Sequence, residues 1–454
     1  MDRDPHAPQG PLRLAIVGGG WAGLAAAVEA VDAGHAVTLI ELSAQWGGRA
    51  RGVEIEGLAL DNGQHILIGA YRHTLALMAR VGADPDALAR RPLELLYPDG
   101  RGLRMPAAPA WLGFGLAVLR CRGWTLAERV ALLRAATGWA LAGFACDPAW
   151  TVARLCHALP PPVRELLIDP LCVAALNTPA AEASASVLLR VLRDALFGGA
   201  GAADLLLPRR SLAALLPEPA ACWLQKAGAR LQTGRRVQAL AREGAGWRVD
   251  GEAFDAVVLA CSAAESARLV EPLTPTWAAQ AQALRYEPIV TVYMRCPGAR
   301  LPSPMTALLQ GPRAPAQFAF DHGALGGAAG VFAFVVSGAR PWVEAGLAAT
   351  GAAVLEQAAT SFAPGTWPQP PTVLRVLAEK RATFRCTPGL DRPAATIAPG
   401  LVAAGDYIAG PYPATLEGAV RSGEQAVAAL RSTLTHAIHD ALTDERTAPP
   451  AARR

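Results

Sequence analysis

Lysine is almost missing: Lys226 and Lys380 are the only two among 42 basic residues, so arginine carries nearly all the positive charge. Codon bias accounts for that skew without a functional reading. The net charge is only +4, and no block of about five like charges occurs that would mark an interaction tail. The pairs Arg209-Arg210 and Arg235-Arg236 are too short to line a nucleic-acid groove. The eight cysteines include no CxxC pair, which argues against a zinc site or a disulfide framework and leaves free thiols in a reducing cytosol as the expectation. No uninterrupted apolar run reaches the roughly 18 residues of a membrane-crossing helix. The start, MDRDPHAPQG, is polar and unlike a secretory leader. Glycine and proline, at 44 and 37 residues, follow no period, which excludes a collagen-like chain.

What is present is a 454-residue chain that is 52% hydrophobic and 18% charged, enough to bury a large core and to form two or three domains at roughly 150 residues each. Residues 12 to 17 read as a short strand, the alanine-rich stretch to Asp32 as a helix stopped by Gly34, and residues 36 to 41 as a second strand. This is a βαβ unit. The polar cluster Asp61-Asn62-Gly63-Gln64-His65 then reads as a loop, and Thr74 to Val81 as a helix. Residues 107 to 200 read mostly as helices, interrupted by prolines. Strand patterns return between Ala229 and Cys261 and again at 289 to 296, 318 to 322 and 331 to 338, where they suggest a separate sheet. A strand at 373 to 378 precedes the segment Glu379 to Phe384, the segment LVAAGDYI covers 401 to 408, and a glycine-punctuated helix runs from about Thr415 to Leu434.

The strongest motif is Gly18-Gly19-Gly20-Trp21-Ala22-Gly23, a GxGxxG placed between a strand and a helix. Gly18 suits the tight turn, Gly20 lets the backbone approach a pyrophosphate, and Gly23 permits close helix packing. Trp21 and Ala22 open the helix whose N-H groups and dipole favour a diphosphate. Glu41, ending the second strand, is placed to accept hydrogen bonds from a ribose, which disfavours NADP and leaves FAD and NAD. The following Gly47-Gly48-Arg49 favours FAD, because glycine backbone and a guanidinium there can meet the diphosphate and flavin end. Farther on, Gly405-Asp406 closes a strand where the carboxylate can bond a ribityl hydroxyl, and Thr415 opens a helix facing the flavin.

In this order the segments resemble the flavin-dependent amine oxidase and phytoene desaturase superfamily over nearly the whole chain. The resemblance implies an α/β fold: a Rossmann-like FAD-binding domain of the glutathione-reductase type, a mixed-sheet substrate domain and a helical insertion. It implies Val237 as the backbone contact for adenine. The expected division is an FAD-binding domain in three segments (12–75, 205–270 and 398–435), a mainly helical substrate- and membrane-facing region (76–204), a substrate-domain sheet (271–397) and a mobile tail (436–454). Four strings look most like the squalene-associated branch, the hydroxysqualene dehydroxylases of hopanoid synthesis. They are Asp61 to Tyr71, Leu176-Asn177-Thr178-Pro179, Glu379 to Phe384 and Pro411 to Gly418.

That branch implies reduction of a hydrophobic C30 allylic or homoallylic alcohol to squalene with loss of water, hydride passing from reduced flavin N5 to the carbon that loses its hydroxyl. A proton donor must turn hydroxide into water. Asp61, His65 and Lys380 are the candidates, each with a plainer alternative: turn capping, a structural loop histidine and a surface strand residue, respectively. Tyr407 and Tyr412 are expected along the substrate channel or in the core. No second nucleotide fingerprint is evident, so an external electron donor is expected. The apolar stretch Trp111 to Trp124 and the amphipathic 131 to 144, with their arginines, suit either packing in the substrate domain or a membrane surface. The expected setting is cytoplasmic, peripheral on the inner face of the cytoplasmic membrane beside other squalene- and hopanoid-pathway enzymes, with no nucleic acid and no metal. A polyene desaturase or isomerase is the competing enzyme reading, and a flavin-binding scaffold the non-enzymatic one.

Overall fold

A computed structural model describes residues 10–430 apart from Ala107. The mobile tail expected at 436–454 lies outside the described residues. Two large sheets organise the chain. Their strands are β1 (Arg13–Val17), β2 (Ala36–Ile40), β3 (Arg230–Gln232), β4 (Ala256–Leu259), β5 (Tyr286–Arg295) and β6 (Met305–Ala307). The remainder are β7 (Phe318–Asp321), β8 (Val331–Val336), β9 (Thr372–Phe384), β10 (Thr396–Ala398) and β11 (Leu401–Ala403). The helices that matter for the site are α1 (Trp21–Asp32), α2 (Arg72–Arg80), α3 (Ala110–Arg120), α4 (Leu126–Leu141) and α5 (Ala185–Phe197).

The first sheet runs β3-β2-β1-β4-β11-β10. Every neighbouring pair is parallel except β10 with β11. β1 and β2 each begin with one exposed residue and continue with four buried ones, as expected of parallel strands covered on both faces. α1 covers one face with a run of small residues from Ala22 to Ala30. The final helix, 416–430, lies against it, and a Cβ at Gly423 would stand 2.2 Å from the Ala22 carbonyl oxygen. Small residues at this crossing let two backbones approach.

The second sheet runs β6-β7-β8-β5-β9, and its paired strands are antiparallel. Its longest strand corrects the sequence reading: β9 does not stop at 378 but continues to Phe384. Between Glu287 and Ile289 on β5 the partner strand passes from Thr383 to Glu379, so residues 380–382 bulge out of the ladder. A bulge hides strand periodicity from the sequence. The stretch 76–204 is also less purely helical than expected, since Leu88–Arg91, Glu94–Leu96 and Gly102–Arg104 are strands. Elements of three or four residues are too short to show a period.

Candidate functional site

The glycine loop between β1 and α1 has the geometry its sequence requires. Gly18 has φ +112°, and a Cβ there would lie 2.5 Å from the Ala260 carbonyl oxygen, while one at Gly23 would lie 1.8 Å from the Gly18 oxygen. Both positions exclude any side chain. Gly20 differs: a Cβ there meets nothing closer than Gly48 Cα at 3.8 Å, so its outer side is open. α1 begins directly after Gly20 with no side-chain cap, leaving its first N-H groups for another acceptor. Trp21 is buried, and its indole N-H donates to the Ala50 carbonyl (3.1 Å). Glu41 braces the loop, accepting from the amides of Gly19 (2.6 Å) and Ser43 (2.7 Å). A carboxylate has lone pairs beyond these two bonds. The strand-exit segment holding Val237 lies alongside, with the Arg235 amide donating to the Glu41 carbonyl and the Val237 carbonyl accepting from Arg268 (2.6 Å).

The GGR segment crosses from this loop to the far end of the site. Gly47 donates to the Gly19 carbonyl, and Gly48, at φ +61°, would place a Cβ 3.2 Å from Gly20 Cα. Arg49 then pairs with Asp406 (Nη2 to Oδ1, 2.5 Å) and donates to the Ala382 carbonyl in the β9 bulge (2.9 Å). Burial opposes its charge, yet the Asp406 carboxylate holds the guanidinium more basic than usual. Asn62 donates to the Arg49 carbonyl (2.7 Å) and accepts from the Arg51 amide, bringing the Asp61 to His65 loop to the same place. Gly405, at φ +155°, donates to Ser422 Oγ (3.0 Å). Thr415 caps the final helix by accepting from the Gly418 amide (3.0 Å). Arg49, Asp406, Asp61, His65 and Thr415 thus come from segments that contact one another.

The candidate proton donors divide. Asp61 is buried and caps a short helix through the Leu212 amide (2.8 Å), and burial pushes its carboxyl up to about 7. It therefore holds a proton over part of the neutral range. His65 Nδ1 lies 2.8 Å from the Gly63 carbonyl; a carbonyl only accepts, so Nδ1 carries the proton and Nε2 presents a lone pair. Burial lowers its pKa as well, which makes it an orienting group and a poor acid. Lys380 is exposed in the β9 bulge, and the carbonyl that Arg49 holds at 2.9 Å belongs to Ala382, two residues farther on. Tyr407 is corrected outright: it is 1% exposed, bonded to Ser266 Oγ (2.9 Å), and belongs to the core rather than a channel. Tyr412 does face a cleft, shared with Arg190, Arg392, Asp406 and Arg421. Its hydroxyl donates to Asp194 (2.9 Å) and accepts from Arg190 (2.9 Å).

Sequence reasoning missed Asn62 as a tether, Arg190 and Arg392 around Tyr412, and the buried Glu417. Glu417 accepts from the Thr74 amide and hydroxyl (both 2.9 Å) and so caps α2. Only Asn62 and Glu417 sit in strings that stood out; the arginines lie in segments without a motif. Among the described residues no cluster suits a metal ion.

These features fit a flavin dinucleotide: an open glycine at an uncapped helix start, a ribose-side carboxylate, and a second carboxylate held by Arg49 at the other end. Gln64 Oε1 and Thr291 Oγ1 are also buried without a hydrogen-bond partner, as expected where a bound group completes a polar pocket. A family model described as flavin containing amine oxidoreductase matches residues 21–431. The chain belongs to this family. This flavin containing amine oxidoreductase is an enzyme, and FAD is its cofactor. It is 29% identical to the hydroxysqualene dehydroxylase of Rhodopseudomonas palustris over 450 residues, 90% of this chain and 96% of that protein. It is 38% identical to the zeta-carotene desaturase of Zea mays, but over only 89 residues, 19% of this chain and 16% of that one. Among solved structures, an oxidoreductase from Methanosarcina mazei superposes with a TM-score of 0.72 at 16% identity, covering 92% of this chain and all of that one. The fold is therefore the α/β flavoprotein fold expected from the sequence.

Proposed function

We propose that this FAD enzyme reduces hydroxysqualene to squalene with loss of water, drawing its electrons from an external donor. The observation that carries the reading is extent. Similarity to a hydroxysqualene dehydroxylase spans 90% of the chain, whereas similarity to a polyene desaturase is confined to 19%. Bound FAD would be held by the Gly18 to Gly23 loop, Glu41, Val237, Gly48, Arg49, Asp406 and the Thr415 helix start, and in its reduced form it supplies the hydride.

The chain's own residues have three tasks in this reading. The Arg49–Asp406 pair and the Asn62 tether fix the polar end of the pocket, so that positioning is set before substrate arrives. The Asp61 carboxyl, protonated near neutrality, donates the proton that lets the hydroxyl leave as water. The apolar faces of the substrate sheet exclude bulk water, which would otherwise recapture an electron-deficient carbon. Carbon gains hydrogen where the C–O bond breaks, and one proton leaves with the oxygen. A water-insoluble C30 substrate supports a working position on the inner face of the cytoplasmic membrane, beside the enzymes that make and use it.

The test is anaerobic. The flavoprotein is reduced, hydroxysqualene is added, and flavin reoxidation is followed while squalene is assayed by mass spectrometry. Squalene formed in proportion to flavin reoxidised is the expected result. Flavin that stays reduced, with the alcohol recovered, overturns the reading and turns the question to polyenes with the oxidised enzyme.

A further inference from the structure

Six of the eleven large hydrophobic side chains exposed among the described residues fall within one helical hairpin, α3 and α4. Trp111, Leu112 and Leu119 stand out on α3, with Trp111 58% exposed. On α4 the exposed apolar residues are Leu126, Val130 and Leu141. At 100° per residue these three fall on one side of α4, within about 60° of one another, with Thr137 among them and Arg134 at their edge. Only Leu132 of α4 is fully buried, and no helix among the described residues is long and apolar enough to cross a membrane. The hairpin is braced, since Arg129 donates to the carbonyls of Leu119 and Cys121 (both 2.8 Å). Exposed apolar side chains gathered on one hairpin mark an interaction surface.

The charge around this surface identifies what covers it. Residues 110–141 hold four arginines (120, 122, 129 and 134) and one acid, Glu128, and Glu128 is occupied in the capping box of α4. Arg120, Arg122 and Arg134 are exposed and form no ion pair among the described residues. A second copy of the chain docking face to face would bring these arginines against their own kind. We propose that the α3–α4 hairpin is a docking surface for an anionic bilayer: leucines and Trp111 enter the headgroup boundary, and the three free guanidiniums meet lipid phosphates. The hairpin packs on α5, and α5 carries Arg190 and Asp194, which bond Tyr412 in the cleft beside Asp406. The docked face therefore lies one helix away from the candidate site. This surface rests on the membrane placement proposed above, but binding is read without substrate, so failure here and failure of dehydroxylation are separate results.

The experiment is flotation of the FAD-loaded full chain with vesicles of phosphatidylglycerol and phosphatidylcholine in equal parts, and with phosphatidylcholine alone. The wild type should float with the anionic vesicles and much less with the neutral ones. Replacing Arg120, Arg122 and Arg134 by Gln together should weaken binding by about a hundredfold, at roughly tenfold or less per arginine. Leu141→Glu should weaken it at least about tenfold, while Leu347→Glu, an exposed leucine elsewhere, should not. Flavin content and Tm report whether each variant is folded. Wild type that fails to float with anionic vesicles, a triple variant that floats like wild type, or a solution dimer that Leu141→Glu separates would each overturn the proposal.

Discussion

At the diphosphate end of the site the geometry is written in backbone: Gly18 and Gly23 leave no room for a Cβ, and Gly20 keeps its outer side open. At the flavin end it is written in side chains drawn from distant segments, where Arg49, Asn62, Asp406 and the β9 bulge hold one another. A backbone device is local, and one added side chain costs it either its packing or its ligand. A side-chain device is assembled from distant segments and can lose one member while keeping the fold. The two ends should therefore fail differently.

The sharpest contrast lies within the glycine loop itself. Gly23→Val drives a side chain into the Gly18 carbonyl and should cost about 3 kcal/mol or more, giving little soluble protein. Gly20→Val meets only Gly48 Cα at 3.8 Å, so the apoprotein should fold with a Tm near that of wild-type apoprotein while the flavin absorbance is lost. A folded Gly20→Val protein that keeps its full complement of flavin would break the distinction between packing glycine and cofactor glycine.

At the other end, Asp61→Asn keeps an acceptor for the Leu212 amide but removes the proton. If Asp61 is the donor, turnover should fall by roughly 10² to 10⁴, and the loss of rate expected of wild type above a pH of about 7 should be absent from the variant. Stability supplies a second readout. The folded carboxyl titrates near 7 against an ordinary value of 3.8, so the folded state holds the extra proton between those limits. Its stabilising contribution is full below about 4 and disappears as pH rises through 7. The stability of wild type relative to Asp61→Asn should therefore fall across that window, by an amount on the order of a few kcal/mol. It is read as the difference between paired urea titrations, because the buried His322 imidazole, pushed down to about 4, titrates there in the opposite sense.

The same contrast explains what could be read in advance. The βαβ unit, its glycines, Glu41 and the final Gly-Asp were legible because each is a local requirement of backbone or strand end. Arg49 was legible as a residue but not in its partner, since Asp406 lies more than 350 positions away in the chain. The β9 bulge was hidden because an extra loop of chain breaks the period-two pattern, and Tyr407 misled because an aromatic beside a Gly-Asp looks the same whether it points to a channel or to Ser266. Arg190 and Arg392 gave no signal at all, being arginines in a chain where arginine is the common cation.

A moderate effect is expected at the junction of the two ends. Asp406→Asn leaves Arg49 without its carboxylate, and because the Arg49 side chain is 37% exposed, solvent should limit the cost to about 1 to 2 kcal/mol. Flavin should be held more weakly but not lost. Combining Arg49→Met with Asp406→Asn should cost less than the sum of the single changes, whereas additive losses would mean that the two residues act apart.

The smallest effect separates core from channel. Tyr407→Phe removes one buried hydrogen bond to Ser266 and leaves the ring in place, so the expected loss is about 1 kcal/mol of stability, read as a small fall in Tm. Because the hydroxyl points into the core and not into the cleft that Tyr412 shares with Asp406, KM for the proposed alcohol substrate should stay at the wild-type value. Tyr412→Phe should do the reverse: its hydroxyl bridges Arg190 and Asp194 at the cleft wall, so KM should move while Tm changes by no more than about 1 kcal/mol would allow. A KM shift in Tyr407→Phe comparable to that in Tyr412→Phe would return Tyr407 to the substrate path.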